Sequence, residues 1–245
     1  MIDGDHLTRH LIVSKKNEIT TVEEANESNF VNEEVLFNAL GYSIFEHLRP
    51  VNIVFEGWRD KRLFEIAMLD RSKKTKSVRD SFADVGRCYA RGTKDVSRIT
   101  AMLELARRNC IVLSDGDQAA REHQRLYKGH GKSFRYDELL PAFPAVTGED
   151  FVRGGAFFPV IDRLQAEDPR LITAPKFSFD KPEGKLKAVS NWFTRAGLTA
   201  DEVKVQLERL KEIVFGDLRP DEIEPAYYDM LERFRASMPK PSCSR

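Results

Sequence analysis

The chain has 245 residues, enough for one large domain or two small ones, and its 41% hydrophobic and 32% charged content is the balance of a soluble globular protein. Lys+Arg and Asp+Glu each total 39, and this zero formal net charge excludes a protein that coats nucleic acid by bulk charge. No run of about 18 apolar residues offers a membrane span. MIDGDHLTRH lacks the layout of a signal peptide, and Cys88, Cys110 and Cys243 form no CxxC pair, so the expectation is a cytoplasmic protein without a cysteine-based zinc site.

In chain order, residues 11–22 read as two short strands around the polar turn Lys15-Lys16-Asn17, and the acidic, Asn-rich stretch 23–34 reads as a linker or capped helix start. Residues 35–48 have helical spacing, with Leu36, Leu40 and Ile44 on one face. Pro50 ends that element, and 51–57 (VNIVFEG) is a buried strand. A helix follows from Trp58 to Leu69, with Leu63, Ile66, Ala67 and Trp58 as its inward residues. The basic segment 71–80 reads as a loop, 81–90 as a second strand, and 94–109 as an amphipathic helix that turns Val96, Ile99, Met102, Leu103 and Leu105 to the core. CIVLSDGD (110–117) is a third strand, apolar until it meets acid; 118–129 is a helix and 132–139 an edge strand. Alternation of strand and helix from 51 to 139 predicts an α/β fold with a mainly parallel sheet. Helices are expected over 151–166, 185–215 and 219–237, with a turn-rich loop at 177–184.

Two segments put carboxylates just past buried strands: Glu56 and Asp60 in the first, Asp115 and Asp117 around Gly116 in the second. Ligands of open parallel sheets bind at the carboxyl ends of the strands, so central, neighbouring strands would bring these four acids to one crevice. Carboxylates gathered there repel one another, and a divalent cation relieves that repulsion. An all-oxygen donor set suits Mg²⁺ or Mn²⁺, two of which can clamp the attacking and leaving oxygens of a phosphodiester. A lone Asp at a strand end is usually a turn residue or helix cap; the two segments together, in this order, favour the metal. Glu149 and Asp150 by themselves read as charges facing a helix N-terminus. Lys185 and Lys187 read either as a solvated helix face or as stabilisers of a transition-state phosphate. Arg71, Lys73, Lys74, Lys76 and Arg79 form a flexible loop that can follow a phosphate backbone. His123 and His130 lack ligand spacing.

The pairing of FEGWRD (55–60) with LSDGD (113–117) resembles the Toprim signature, a Glu after the first strand and a DxD after the third. The flanks resemble the OLD (overcoming lysogenisation defect) nucleases, in which an ABC-type ATPase domain precedes the Toprim domain. MIDGDHLTRHLIVSKKNEITTV is similar to the segment that follows the ATPase's last motif, and NEEVLFNALGYSIFEHLRP to the connecting helix. The resemblance implies a Toprim-type sheet with a helical C-terminal extension, divided as 1–50 (ATPase remnant or linker), 51–176 (Toprim domain) and 177–245 (helices completing the site). It further implies a Mg²⁺- or Mn²⁺-dependent DNA endonuclease or nickase with two ions. Glu56, Asp60, Asp115 and Asp117 would hold metal, TGEDF would add Glu149 and Asp150, and the catalytic lysine would be Lys185 or Lys187. The implied partners are DNA, an ABC-type ATPase domain in the same or a separate chain, and a second copy of the chain; the implied setting is phage defence. No GxxxxGK[ST] motif is present, so this chain does not itself hydrolyse ATP in that family's manner. Two other readings remain: primase- or topoisomerase-like chemistry, with Tyr227 or Tyr228 as the nucleophile a topoisomerase needs, and a non-catalytic binding or regulatory module whose acids are structural.

Overall fold

The computed structural model describes residues 11–16, 19–24, 49–143, 145–180 and 184–238. The chain divides into two compact units, Met1–Arg49 and Pro50–Arg245. The first contains an antiparallel hairpin of β1 (Leu11–Lys16) and β2 (Ile19–Glu24), with Lys16 opposite Ile19, as the alternation around the polar turn predicts. The helix expected over 35–48 lies outside the described residues.

The second unit is an α/β fold with a helical C-terminal part. Its sheet holds β3 (Val51–Phe55), β4 (Val85–Tyr89), β5 (Asn109–Ser114) and β6 (Lys132–Arg135) in the order β4-β3-β5-β6, every pair parallel. β3 and β5 are therefore the central pair. Their near-continuous apolar sequence follows from being covered on both faces, and all five residues of β3 are buried. Ile53 lies opposite Ile111 and Phe55 opposite Leu113, which fixes the two strand ends side by side.

The connections run through α1 (Trp58–Leu69), α2 (Lys76–Ser81), α3 (Thr93–Leu105) and α4 (Gln118–Leu126). α1 buries Leu63, Phe64, Ile66 and Ala67 at helical spacing and, among them, Asp60. Trp58 is not inward: it is 41% exposed in the helix's first position, with the Arg59 guanidinium 5.1 Å from its ring. The basic segment 71–80 is not wholly a loop, because Val78 is buried and anchors α2. In α3, Val96 and Leu103 are buried but Leu105 is 85% exposed, since the helix ends there and Arg107 turns away at φ 53°. The expected edge strand 132–139 stops at Arg135, and Tyr136–Leu139 form one helical turn, α5.

Beyond the sheet come a 3₁₀ turn (Gly148–Phe151), α6 (Gly154–Glu167), α7 (Pro169–Ile172), α8 (Lys185–Arg195), α9 (Ala200–Asp217), a second 3₁₀ turn (Pro220–Glu222) and α10 (Pro225–Ser237). The helix expected over 185–215 is broken: Gly197 takes φ 91°, and Thr199 restarts the chain with a capping box to Glu202. Sheet residues Ile53 and Leu113 share one core with Phe151, Phe177, Phe193, Tyr227 and Phe234, so the expected boundary at 176–177 falls inside continuous packing. Among the described residues no helix is long and apolar enough to cross a membrane.

Candidate metal centre

Glu56 follows the last residue of β3, and its backbone N–H donates to Leu113 O at 3.2 Å, carrying the ladder one step past the strand end. That step brings its side chain to β5. The Asp115 N–H donates to Glu56 Oε2 at 3.4 Å, so residues 59 positions apart touch at the rim of the two central strands.

Asp60 enters from the first turn of α1. It is buried, and Tyr136 donates its hydroxyl to Asp60 Oδ1 at 2.8 Å. Two glycines border this carboxylate. A Cβ on Gly148 would stand 2.7 Å from Asp60 Oδ1, so Asp60 could not keep this position beside a side chain there, and one on Gly57 would stand 3.1 Å from Asp60 Oδ2, a tight contact. Gly148 also donates its N–H to Asp115 Oδ1 at 3.2 Å. The 3₁₀ turn is thereby fastened against both acids, and its next residue, Glu149, is buried. Asp117 caps α4 by accepting from the Ala120 N–H at 2.8 Å. The capping role and the ligand role expected of Asp117 use the same carboxylate, which has a second oxygen.

The electrostatics follow from this crowding. Burial, the Glu149 and Glu56 charges, against the opposing Tyr136 hydrogen bond, push the Asp60 carboxyl up to about 7. Burial and the charges of Asp60, Glu149, Glu56 and Asp117 hold Asp115 well above the ordinary carboxylate range. Burial raises Glu56 too; its hydrogen bond from Asp115 opposes this and the Asp117 charge adds to it. Among the described residues no Lys, Arg or His forms an ion pair with Glu56, Asp60, Asp115, Asp117 or Glu149. Asp137, an acid that the sequence reading passed over, shows the contrast. It packs beside Gly116 at the same rim but is paired by Arg121 and Arg135, each at 3.0 Å.

Asp150 and Lys185 have other tasks than those the resemblance implied. Asp150 Oδ2 accepts from the N–H groups of Val146 (2.8 Å) and Thr147 (3.2 Å), and Oδ1 accepts from the Lys185 N–H at 2.9 Å. Its carboxylate closes the capping box of the 3₁₀ turn. Lys185 is 2% exposed. Its Nζ donates to Asp150 O at 2.8 Å and to Val152 O, and faces Glu224 Oε1 at 3.5 Å. Burial lowers its pKa against the raising influence of Glu224 and Asp150. The ammonium is thus committed to the turn that carries Glu149. Lys187, two residues on, is exposed. Arg71, Lys73, Lys74 and Lys76 are exposed as well, while Arg79 Nη2 reaches Ser72 O at 3.4 Å.

An all-carboxylate, partly buried and cation-free group matches the donor preference of Mg²⁺ or Mn²⁺, and the glycines keep room around it. The match is in chemistry and place. Among the described residues no three His, Cys, Asp or Glu side chains form a ready-made ligand shell, so the carboxylates need side-chain rotation to close around an ion. Sequence reasoning missed Tyr136 and Gly148; a Tyr at the end of an edge strand and a Gly in a turn carry no local mark of what they touch. No protein-family model matches the chain, and neither a curated protein nor a solved structure matches it.

Proposed function

We propose that the chain is a Mg²⁺- or Mn²⁺-dependent phosphodiesterase that cuts or nicks DNA, with Glu56, Asp60, Asp115, Asp117 and Glu149 as the residues that hold the metal. One observation carries the reading: five carboxylates from three distant segments gather at the C-terminal rim of the two central parallel strands, with no basic side chain paired to them among the described residues. Burying unpaired carboxylates costs several kcal/mol each. A fold that carries several without a structural counter-ion is accounted for by a mobile one. The resemblance of FEGWRD and LSDGD to the Toprim signature, and of the flanks to OLD nucleases, supports the same chemistry, a DNA substrate and an ABC-type ATPase partner. The cytoplasm is the proposed place of action, and a second copy of the chain is a further proposed partner.

When bound, the metal supplies charge neutralisation at the phosphate and acidifies water for attack. The chain's part is to hold Glu56 against the Asp115 amide, to seat Asp60 in the room that two glycines leave, and to hold the Glu149 turn with the Lys185 ammonium. Lys187 and the cations of 71–76 are exposed and free to meet the phosphate backbone. The topoisomerase reading loses Tyr227 as its nucleophile, because that residue is fully buried and its hydroxyl lies in the core.

The non-catalytic reading has one observation in its favour, the lack of a ready-made ligand shell among the described residues. Supercoiled plasmid incubated with the protein and Mg²⁺ or Mn²⁺ separates the two. Nicked or linear DNA that disappears with EDTA and in folded Glu56→Ala and Asp115→Ala variants is the expected result. A wild-type protein that binds DNA but leaves it intact with either ion establishes the regulatory module instead.

A further inference from the structure

We infer that Tyr136 is a positioning residue of the metal centre: its hydroxyl sets the orientation of the Asp60 carboxylate, and its ring holds the turn that carries Glu149. The inference rests on the proposed metal-dependent function and names a part of the site that neither the sequence motifs nor the resemblance assigns.

Tyr136 follows the last residue of the edge strand β6, on the far side of β5 from β3. It nevertheless reaches Asp60 in α1, 76 residues earlier, with a 2.8 Å hydrogen bond between two buried side chains. A carboxylate has about four lone-pair directions, and a donor fixed on Oδ1 leaves Oδ2 and the remaining Oδ1 lone pair to face an ion. Glycines border both oxygens, Gly57 on the Oδ2 side and Gly148 on the Oδ1 side, and leave open the room that a side chain would fill. The Tyr136 ring packs edge-on against Phe151, with centroids 5.2 Å apart, and Phe151 ends the 3₁₀ turn that begins at Gly148 and contains Glu149. One side chain therefore touches both elements that bring acids to the centre from outside the two central strands.

The hydroxyl is not there to satisfy a generic core polarity. Tyr227, equally buried and with its ring centroid 5.1 Å from that of Phe151, carries a hydroxyl with no hydrogen-bond partner among the described residues. The same aromatic layer thus contains a tyrosine that bonds a carboxylate and one that bonds nothing, which makes the pair a matched comparison. Groups that hydrogen-bond metal-ligating side chains fix their orientation, and losing one typically weakens metal affinity by about 10- to 100-fold.

The test is Mn²⁺ binding to the purified full chain, followed by the loss of the free-ion EPR signal, in wild type, Tyr136→Phe, Tyr227→Phe and Asp60→Asn. Thermal melts in EDTA run alongside. Tyr136→Phe is expected to weaken Mn²⁺ binding by about 10- to 100-fold, and Tyr227→Phe to leave it unchanged. Asp60→Asn, which removes a carboxylate proposed to hold the ion, is the control that should lose the binding. Affinities are compared at a temperature below the lowest of the four melts, so that partial unfolding of Tyr136→Phe does not enter the comparison. Equal Mn²⁺ affinity in wild type and Tyr136→Phe, or an equal loss in Tyr227→Phe, overturns the inference while leaving the metal site standing. A wild-type chain that takes up no Mn²⁺ overturns both.

Discussion

Asp60→Asn gives the sharpest test of whether the acids are a waiting metal site or a structural network. Its carboxyl is pushed up to about 7 from an ordinary 3.8, chiefly by burial and by the Glu149 charge. An acid with a raised folded pKa binds more protons folded than unfolded between those two values. Its contribution to stability is complete below about 4 and is lost as pH rises through about 7. Above pH 7 the metal-free protein therefore carries a penalty. At about 1.4 kcal/mol per pKa unit over about three units, its ceiling is roughly 4 kcal/mol. Asparagine removes the charge and keeps Oδ1, so the Tyr136 hydrogen bond can persist. Its new amide donor meets carboxylate neighbours as acceptors. Some of the penalty belongs to Asp115 and Glu56 and stays behind, so about half the ceiling, roughly 2 kcal/mol, is the expected gain. For a chain of this length that is an upward shift of about 4–8 °C in Tm.

Thermal denaturation in EDTA near pH 8 reads the gain directly, and repeating it near pH 5 should shrink it, because wild-type Asp60 is by then largely protonated. Adding Mg²⁺ should raise the Tm of wild type and not that of the variant, because ligand binding stabilises only what it binds. A variant that loses more than about 1 kcal/mol near pH 8 would refute the reasoning. That result would show Asp60 held by attractive partners, the behaviour of a structural ion-pair network whose member has been removed.

The two lysines should part company. Lys185→Met removes the ammonium from Asp150 O, Val152 O and Glu224, and is expected to cost about 3–5 kcal/mol of stability in urea unfolding; a Lys185→Met protein as stable as wild type would show that the buried contacts contribute little. Lys187→Ala should stay within about 0.5 kcal/mol of wild type in the same assay while lowering the plasmid-cleavage rate by about 10²-fold if its amine meets the phosphate. Gly148→Ala places a methyl 2.7 Å from Asp60 Oδ1 and should lower stability by about 1–3 kcal/mol and blunt the Mg²⁺-induced rise in Tm; Gly155→Ala, with nothing within 4 Å of the added atom, should do neither.

The parallel sheet was legible because its determinants are local. VNIVF and CIVLS are near-continuous apolar runs of strand length, each closed by acid and glycine, and β3 and β5 are indeed the central pair. Glu56 and Asp115 meet because both sit one residue past those strands, which is a matter of register rather than of side-chain detail. The long-range contacts were not legible. Lys185 follows Gly184 at the start of a helix, and on its own helix its surroundings are those of a solvated position. It is buried only because a turn 33–35 residues earlier offers two carbonyls and a carboxylate. Leu105 and Met102 satisfy helical spacing, yet Leu105 lies past the point where α3 still faces the sheet. Tyr136 ends an alternating pattern whose period tells which face it is on and nothing about Asp60.

The same contacts decide where the site ends along the chain. The turn holding Glu149 has no strand of its own to lean on. It is fixed from one side by the Asp115 and Asp60 cradle and from the other by segments far downstream. Lys185 clamps Asp150 and Val152, Glu224 donates its N–H to Phe151 O at 2.8 Å, Arg153 donates to Glu222 O at 2.7 Å, and Val152 bridges to Ile223. A short 3₁₀ turn has little stability alone, so its geometry is set by these anchors. Local unfolding of α8 or of the 222–224 segment would release Glu149 first, while Glu56 and Asp115, held by the sheet ladder, would stay in place. The helical C-terminal part is thus built into the carboxylate cluster, and a boundary drawn at 176 would separate Glu149 from the groups that hold it.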